Sequence, residues 1–246
     1  MKRLLFAMYA FSMLQASSIK VAVSANVSYA IGDLKKEFLS SHPNTKIDTI
    51  VASTGKLTTQ IIHGAPYDML LGANVQYPQK LYDMHIAITK PVVYAKGALI
   101  YLSSKNYDLS HPIELLASSK IKRIAIANPK TAPYGMASVE ALKHAKVFDK
   151  IKSKFIYGES ISQTLTYTLK ASDIGIVAKS SIYSPKLFYL KKSNYKDVNS
   201  SLYTPISQAM VLLKHSTNSK EAREFYEFLQ TPKAKEIFKR YGYINP

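Results

Sequence analysis

Four short segments of the chain combine small residues with hydroxyl or amide side chains, and at these places the sequence could bind an anion. Each segment follows an apolar run and precedes a stretch with helical spacing. A helix N-terminus presents N–H groups without intrahelical partners and a partial positive charge, so such a junction can hold an oxyanion without lysine or arginine. The four junctions are Ser24-Ala25-Asn26-Val27-Ser28, Ala52-Ser53-Thr54-Gly55, Ala132-Pro133-Tyr134-Gly135 and Gly158-Glu159-Ser160-Ile161-Ser162.

Each junction, taken singly, also fits simple helix capping. Asn26, Ser28, Thr54 and Ser160 are residue types that cap helices, and Ser160 with Gln163 matches the S-x-x-Q capping box. Spacing alone leaves both interpretations open and does not name the anion.

Enzymatic motifs are incomplete in this sequence. Ser53 and Lys56 match S-x-x-K, but 130–132 lacks the glycine of K-T-G and there is no S-D-N element. A Walker A loop fails because Ile50 and Leu57 stand where glycine and a hydroxyl residue are needed. The six histidines show no metal-binding spacing, and no nucleophile is paired with a base. We therefore expect a protein that is not an enzyme and that uses neither a metal nor an organic cofactor.

The elements that position the junctions alternate between strands and helices, as in βα units built around buried parallel strands. Two longer apolar runs, 91–102 and 204–213, are candidates for segments that pass from one sheet to another. Predicted strands cover 19–23, 47–51, 68–71, 123–127, 154–157 and 173–177. Predicted helical stripes are Val27, Ile31, Leu34 and Phe38; Leu57 and Ile61; Val139, Leu142 and Val147; and Phe225, Phe228 and Leu229.

The N-terminus predicts export. Lys2 and Arg3 precede a largely apolar stretch at 4–14, with a possible cleavage site after Ala16. That stretch is shorter than the roughly 20 residues of a membrane-spanning helix. We therefore expect residues 1–16 to be a signal peptide. The chain has no cysteine, so an exported protein would rely on its core without disulfide bonds.

The formal net charge of +17 raises the possibility of nucleic-acid binding. The lysines, however, are spread over helix faces and loops, and the sequence contains no helix-turn-helix, zinc-finger or aromatic RNP motif. We expect solvated basic surfaces and general attraction of anions rather than a nucleic-acid site.

The four junctions and several other segments resemble the molybdate-binding proteins of molybdate ABC transporters, which are type II periplasmic binding proteins. The likeness extends over nearly all of the chain after residue 16, and the order and spacing of the motifs make it specific. The matching segments are S-A-N at 24–26, A-S-T-G-K-L at 52–57, Q-I at 60–61, G-A-P-Y-D at 64–68, A-I-A-N-P at 125–129, A-P-Y-G at 132–135, G-E-S-I-S-Q at 158–163, D-I-G-I-V-A at 173–178 and I-F-K-R-Y-G-Y at 237–243.

The resemblance implies a fold and a mode of binding. It implies an α/β protein with mixed sheets in two lobes, lobe I at 17–98 and 207–246 and lobe II at 99–206, which close by hinge motion on a ligand in the cleft between them. It further implies a periplasmic monomer that captures molybdate or tungstate through neutral donors and passes it to a membrane permease. The residues carried over by the resemblance are Ala25, Asn26, Ser53, Thr54, Tyr134 and Ile161.

This sequence departs from some family members at two positions. Asn26 stands where some members have serine, and Ala178 stands where some use a tyrosine hydroxyl. Three alternatives stay open: another tetrahedral oxyanion such as sulfate or phosphate, an enzyme on the same scaffold, and a regulatory domain of similar fold.

Overall fold

The computed structural model describes residues 17–244, so the predicted signal peptide lies outside the described residues. The strands are β1 Ser17–Ser24, β2 Thr45–Ala52, β3 Met69–Leu71, β4 Val92–Gly97, β5 Leu99–Leu102, β6 Ile124–Ala127, β7 Phe155–Gly158, β8 Ile174–Ala178, β9 Tyr195–Asp197 and β10 Ile206–Leu212. The α-helices are α1 Ile31–Leu39, α2 Thr54–Ile62, α3 Gln76–Asp83, α4 Pro112–Ala117, α5 Pro133–His144, α6 Phe148–Ile151, α7 Ile161–Lys170, α8 Lys220–Phe228 and α9 Pro232–Arg240. All six predicted strands are confirmed, with ends shifted by at most two residues.

The strands form two five-stranded sheets, with the orders β2-β1-β3-β10-β4 and β7-β6-β8-β5-β9. In each sheet three parallel strands are followed by an antiparallel one, β10 in the first and β5 in the second. We call the body around the first sheet lobe I and the body around the second sheet lobe II. The two lobes thus repeat one topology, although no repeat is visible in the sequence. The α/β fold with two mixed sheets is the one that the sequence predicted.

A buried aspartate begins the third parallel strand in both lobes. In lobe I the Asp68 carboxylate accepts a hydrogen bond from the Lys20 N–H at 2.7 Å, just before the first pair between β1 and β3, Val21 with Met69. In lobe II the Asp173 carboxylate accepts from the N–H groups of Lys122 and Arg123 at 2.8 and 2.9 Å, just before β6. Each carboxylate satisfies backbone donors just before the third strand starts to pair, and so fixes where that pairing begins.

The chain passes from lobe I to lobe II at Ala98, between β4 and β5, so the predicted crossing within 91–102 is confirmed. The prediction for 204–213 was wrong. Strand β10 lies wholly in the first sheet, and its apolar run reflects burial between β3 and β4. The return passage precedes it, at 198–205, and the predicted division at residues 98 and 206 stays a prediction.

Apolar faces of the helices bury the sheets on both sides. In lobe I the predicted stripe of Val27, Ile31, Leu34 and Phe38 is buried, but it begins on a 3₁₀ helix, Ala25–Tyr29, before continuing on α1. Burying each such side chain stabilises the fold by roughly 1.5 to 3 kcal/mol. Val147 was wrongly assigned to the third stripe, because α5 ends at His144 and Lys146 has a positive φ of 57°. Among residues 17–244, no helix combines the length and the apolar character needed to cross a bilayer.

Candidate anion-binding site

The four junctions meet at one small cavity, which lies where β1, β2, β6 and β7 end. All six residues predicted from the sequence line it. The lining consists of Ser24, Ala25, Asn26, Ser53, Thr54, Ala73, Ala132, Pro133, Tyr134 and Ile161. The structure therefore brings together, from both lobes, residues that are up to 137 positions apart, as the hydrogen bond between Ser162 and Ala25 also shows.

Helix starts face the cavity from both lobes. Helix α2 begins at Thr54, α5 at Pro133 and α7 at Ile161, and a 3₁₀ helix begins at Ala25. The first N–H groups of each helix have no acceptor in the helix backbone, so those not bonded elsewhere, as Gly55 and Gln163 are, can donate to an anion. Proline supplies no N–H group, which leaves Tyr134 as the first donor of α5.

Capping explains only one of the junctions. The Ser160 hydroxyl accepts from the Gln163 N–H at 3.3 Å, and the Gln163 side chain accepts from the Glu159 N–H at 2.6 Å. Within the described residues, the Ser53 side chain makes no capping hydrogen bond, although Ser53 occupies the N-cap position of α2. Thr54 is the first residue of α2 and Asn26 is the second residue of its 3₁₀ helix, so neither occupies the N-cap position.

Thr54 is oriented by two neighbours. Its buried hydroxyl oxygen accepts from the Ala73 N–H at 3.1 Å and lies 2.7 Å from the Ser24 hydroxyl oxygen. A hydroxyl has one proton to donate and two lone pairs that accept. When Ser24 is the donor, Thr54 accepts twice and its own proton is left for a ligand.

Asn26 presents its main chain rather than its side chain to a ligand. The side-chain amide nitrogen donates to the Gln208 Oε1 at 2.6 Å and to the Tyr243 hydroxyl at 2.9 Å, which uses both of its protons. The Asn26 carbonyl accepts from Ser180 at 3.0 Å and from Tyr243 at 2.8 Å. The donor that remains for an anion is the Asn26 N–H in the first turn of the 3₁₀ helix.

Tyr134 also turns its side chain away from the cavity. Its hydroxyl accepts from the Gln208 amide at 3.1 Å and lies against Gly97, where a side chain would collide with it. Burial raises the pKa of Tyr134 well above the usual value for a phenol, and burial likewise raises the pKa of Tyr94. These phenols are therefore neutral hydrogen-bonding groups at any physiological pH.

The cavity contains dipoles and no charge. Among the described residues, none that line it is ionised at neutral pH, and no group of three or more acidic or histidine side chains is placed to hold a metal ion. Hydrogen bonds from neutral donors to an ionised acceptor are about twice as strong as those between neutral groups. The arrangement is suited to an anion held by oriented N–H and O–H groups.

Hydrogen bonds between the lobes enclose the cavity. On one side the Gly55 N–H donates to the Thr131 carbonyl at 2.9 Å. On the other the Ser162 hydroxyl donates to the Ala25 carbonyl at 3.1 Å, and Ser180 donates to Asn26 as described. The structure thus shows the lobes closed on each other.

Sequence reasoning missed three kinds of residue. Ser24, Ala132 and Pro133 lie within the predicted junctions but were not assigned to the site. Ala73 follows β3, and its position after an apolar strand is a signal of the kind that found the other junctions. Gln208 is visible in the sequence as a polar residue inside an apolar run.

Sequence comparison identifies the family to which this chain belongs. The profile of the bacterial extracellular solute-binding proteins matches residues 19–244. The chain belongs to this family. Its members named below are solute-binding proteins, and the predicted resemblance is confirmed.

Relatives within the family cover most of this chain. The molybdate-binding protein ModA of Azotobacter vinelandii is 33% identical over 231 residues, which are 93% of this chain and 90% of that protein. ModA of Rhodobacter capsulatus is 30% identical over 94% of this chain and 89% of its own length. A putative ABC transporter substrate-binding lipoprotein of Bacillus subtilis, YvgL, is 27% identical over 92% of this chain and 86% of its own length.

Solved structures agree with this assignment. The periplasmic molybdate-binding protein of Azotobacter vinelandii has a TM-score of 0.85 and 28% identity, covering 93% of this chain and 99% of that one. The sulfate-binding protein SubI of Mycobacterium tuberculosis has a TM-score of 0.74 at 12% identity, with 92% of this chain and 86% of that one covered. That second likeness shows the shared two-lobed fold alone.

Proposed function

We propose that this protein is an extracytoplasmic solute-binding protein that captures molybdate or tungstate and delivers it to an ABC importer. The observation that carries the proposal is the uncharged cavity between the lobes, into which helix starts from both lobes converge. The ModA relatives, which are named for molybdate binding, support the choice of oxyanion.

The proposed donors are the residues that the sequence indicated. Main-chain N–H groups come from Ala25, Asn26, Tyr134 and Ile161, and hydroxyl groups come from Ser53 and Thr54. Because the donors belong to two lobes, the closed protein holds more of them around the anion than either lobe alone. Hinge closure is therefore the step that completes the site.

We propose binding without catalysis and without a cofactor, since the molybdenum or tungsten is the cargo. A general acid or base would have to reach the bound anion, and the lining residues supply none. We further propose that the protein is a periplasmic monomer and that residues 1–16 are the signal peptide that directs its export. Its macromolecular partner is then the membrane permease, and it binds no nucleic acid.

Equilibrium dialysis tests this function. The purified exported protein is dialysed against molybdate, and bound molybdenum is counted by elemental mass spectrometry, with sulfate and phosphate as competitors. We expect one molybdenum atom per protein and displacement by tungstate. Displacement of molybdate by equimolar sulfate would favour the alternative that the cargo is another tetrahedral oxyanion.

A further inference from the structure

Gln208 is a buried polar residue in a strand that is otherwise apolar. It lies in β10 of lobe I, pairs with Ala95 of β4 and is followed at once by an irregularity in the strand register. Its side chain is completely shielded from solvent. Burial of an amide is costly unless its donors and acceptor are paired, so the partners of Gln208 are informative.

The amide of Gln208 connects the two halves of the proposed site. Its oxygen accepts from the Asn26 amide at 2.6 Å, and the Tyr94 hydroxyl shares its one proton between this oxygen at 3.1 Å and the Gly72 carbonyl at 3.0 Å, all in lobe I. Its nitrogen donates to the Tyr134 hydroxyl at 3.1 Å, in lobe II. Asn26 and Tyr134 are two of the residues whose main-chain N–H groups face the cavity.

The direction of these hydrogen bonds has only one consistent arrangement. The Tyr243 hydroxyl donates its one proton to the Asn26 carbonyl at 2.8 Å, so its oxygen must accept from the Asn26 side-chain nitrogen, and that same nitrogen reaches Gln208. Exchanging the oxygen and nitrogen of Gln208 would set two amide donors, those of Asn26 and Gln208, against each other. The Gln208 nitrogen must therefore point toward lobe II.

We propose that Gln208 is a positioning residue that couples the lobe I and lobe II donors of the site; the inference rests on the proposed function. Gln208 contacts no ligand. It holds the Asn26 turn directly, and it holds the start of α5 through the Tyr134 phenol. Since the bond to Tyr134 joins the lobes, it stabilises the closed state, and its loss should speed ligand release rather than slow capture.

The test uses Tyr134→Phe, which removes the acceptor for Gln208 and keeps both the ring and the main-chain N–H. Tyr101→Phe is the matched control, because Tyr101 is a buried tyrosine of β5 in the core of lobe II. Association and dissociation rates for molybdate are followed by stopped-flow tyrosine fluorescence, which the chain permits because it has 18 tyrosines and no tryptophan. For Tyr134→Phe we expect a dissociation rate raised about 3- to 10-fold and an association rate within about twofold of the wild type. The Tyr101→Phe control should have the same association and dissociation rates as the wild type.

Gln208→Met supplies a second arm, since it keeps an unbranched side chain and removes every hydrogen bond of the amide. In the double variant with Tyr134→Phe, the effects on dissociation should be clearly less than multiplicative, as expected for contacting residues. If Gln208→Met does not fold, the association and dissociation rates of the Tyr134→Phe variant alone test the role of Gln208.

Two results would overturn the inference. In the first, the wild type binds molybdate, but the Tyr134→Phe variant has the same dissociation rate as the wild type. The other is a Tyr134→Phe variant whose association rate and ligand-free melting temperature both fall with no rise in dissociation, which would mean a purely structural role. A wild type that binds none of the oxyanions overturns the proposed function and this inference with it.

Discussion

The main-chain N–H of Gly55 donates to the carbonyl oxygen of Thr131 across the cleft, at 2.9 Å. Gly55 lies in the first turn of α2, and Thr131 precedes α5, so the bond joins the helix starts that contribute Thr54 and Tyr134. A Cβ on Gly55 would lie 2.8 Å from the Thr131 oxygen and 2.8 Å from the Tyr77 hydroxyl. The two backbones therefore approach each other at a place where only glycine fits.

Gly55→Ala should weaken molybdate binding by obstructing closure. Overpacking costs about 1 to 3 kcal/mol, and here it falls mainly on the closed state, so Kd should rise roughly 5- to 150-fold. Calorimetric titration with molybdate measures this Kd. Gly32→Ala is the control, because a Cβ there meets no atom within 4 Å. Equal affinities for the Gly55→Ala variant and the wild type would show that this contact does not limit closure.

Thr54→Ala should weaken binding, and because the buried Ala73 N–H loses its acceptor, it should also lower the free energy of unfolding of the ligand-free protein by about 1 to 3 kcal/mol. A hydrogen bond to a charged group is worth about 1.5 to 3 kcal/mol, which corresponds to a roughly 10- to 150-fold rise in Kd. Thr54→Ser should recover most of the affinity, since it keeps the oxygen that lies beside Ser24 and Ala73. Thr59→Ala, on the same helix but bonded to the Gly55 carbonyl, is the control. The assignment fails if Thr54→Ala binds as tightly as Thr59→Ala.

Asn26→Leu should lower both affinity and stability. The Asn26 side-chain nitrogen donates hydrogen bonds to the buried Gln208 and to Tyr243, and leucine would leave these acceptors unpaired. An unsatisfied buried group lowers the free energy of unfolding by about 1 to 3 kcal/mol. In a chain of this length the ligand-free melting temperature should fall by roughly 2 to 12 °C, as read by differential scanning calorimetry. An unchanged melting temperature in this variant would contradict the buried network.

Asp173 should make stability depend on pH in the acid range. Its burial raises the pKa, but hydrogen bonds from Lys105 and from the N–H groups of Arg123 and Lys122 outweigh this and lower the pKa to about 2. Because the folded pKa lies below the unfolded value of about 3.9, the carboxylate stabilises the protein above about pH 4, and this contribution is lost as pH falls toward 2. The contribution is about 2 to 3 kcal/mol.

Urea unfolding of Asp173→Asn measures this contribution. At pH 7 the variant should be less stable than the wild type by at least that amount, with the difference narrowing between pH 4 and pH 2. Asp149→Asn is the control, since the Asp149 side chain is 85% exposed and its pairing with Lys152 is a surface contact. A constant difference across this range would rule out titration of Asp173 as the cause.

The sequence predicted the parts of the site that depend on local order along the chain. Alternating apolar runs and helical stripes located β1, β2, β6 and β7, and the carboxyl ends of those strands supplied Asn26, Thr54, Tyr134 and Ile161 together. Parallel strands of one sheet end at a common edge, which predicts that the junctions meet in pairs, one pair in each sheet. That the two pairs face each other was implied by the resemblance to two-lobed binding proteins.

Pairings between distant residues could not be predicted from the sequence. Asn26 bonds to Gln208 across 182 positions and to Tyr243 across 217, so nothing local indicated that its amide would be consumed within the protein. The same limit explains the error at 204–213. An apolar run shows that a strand is buried, but it does not identify the sheet in which the strand lies.

We attribute anion binding to oriented neutral groups rather than to the net charge of +17. Calorimetric titration of the purified protein with molybdate, tungstate, sulfate and phosphate, each at about 20 and 200 mM salt, separates these two causes. Enclosed dipoles are screened little by salt, whereas exposed charges are screened strongly. If this attribution is right, we expect tight binding of molybdate and tungstate, much weaker binding of sulfate and phosphate, and a Kd for molybdate that changes less than about threefold between the two salt concentrations. Similar affinities for all four anions that disappear at the higher salt would contradict it and would assign binding to the surface lysines.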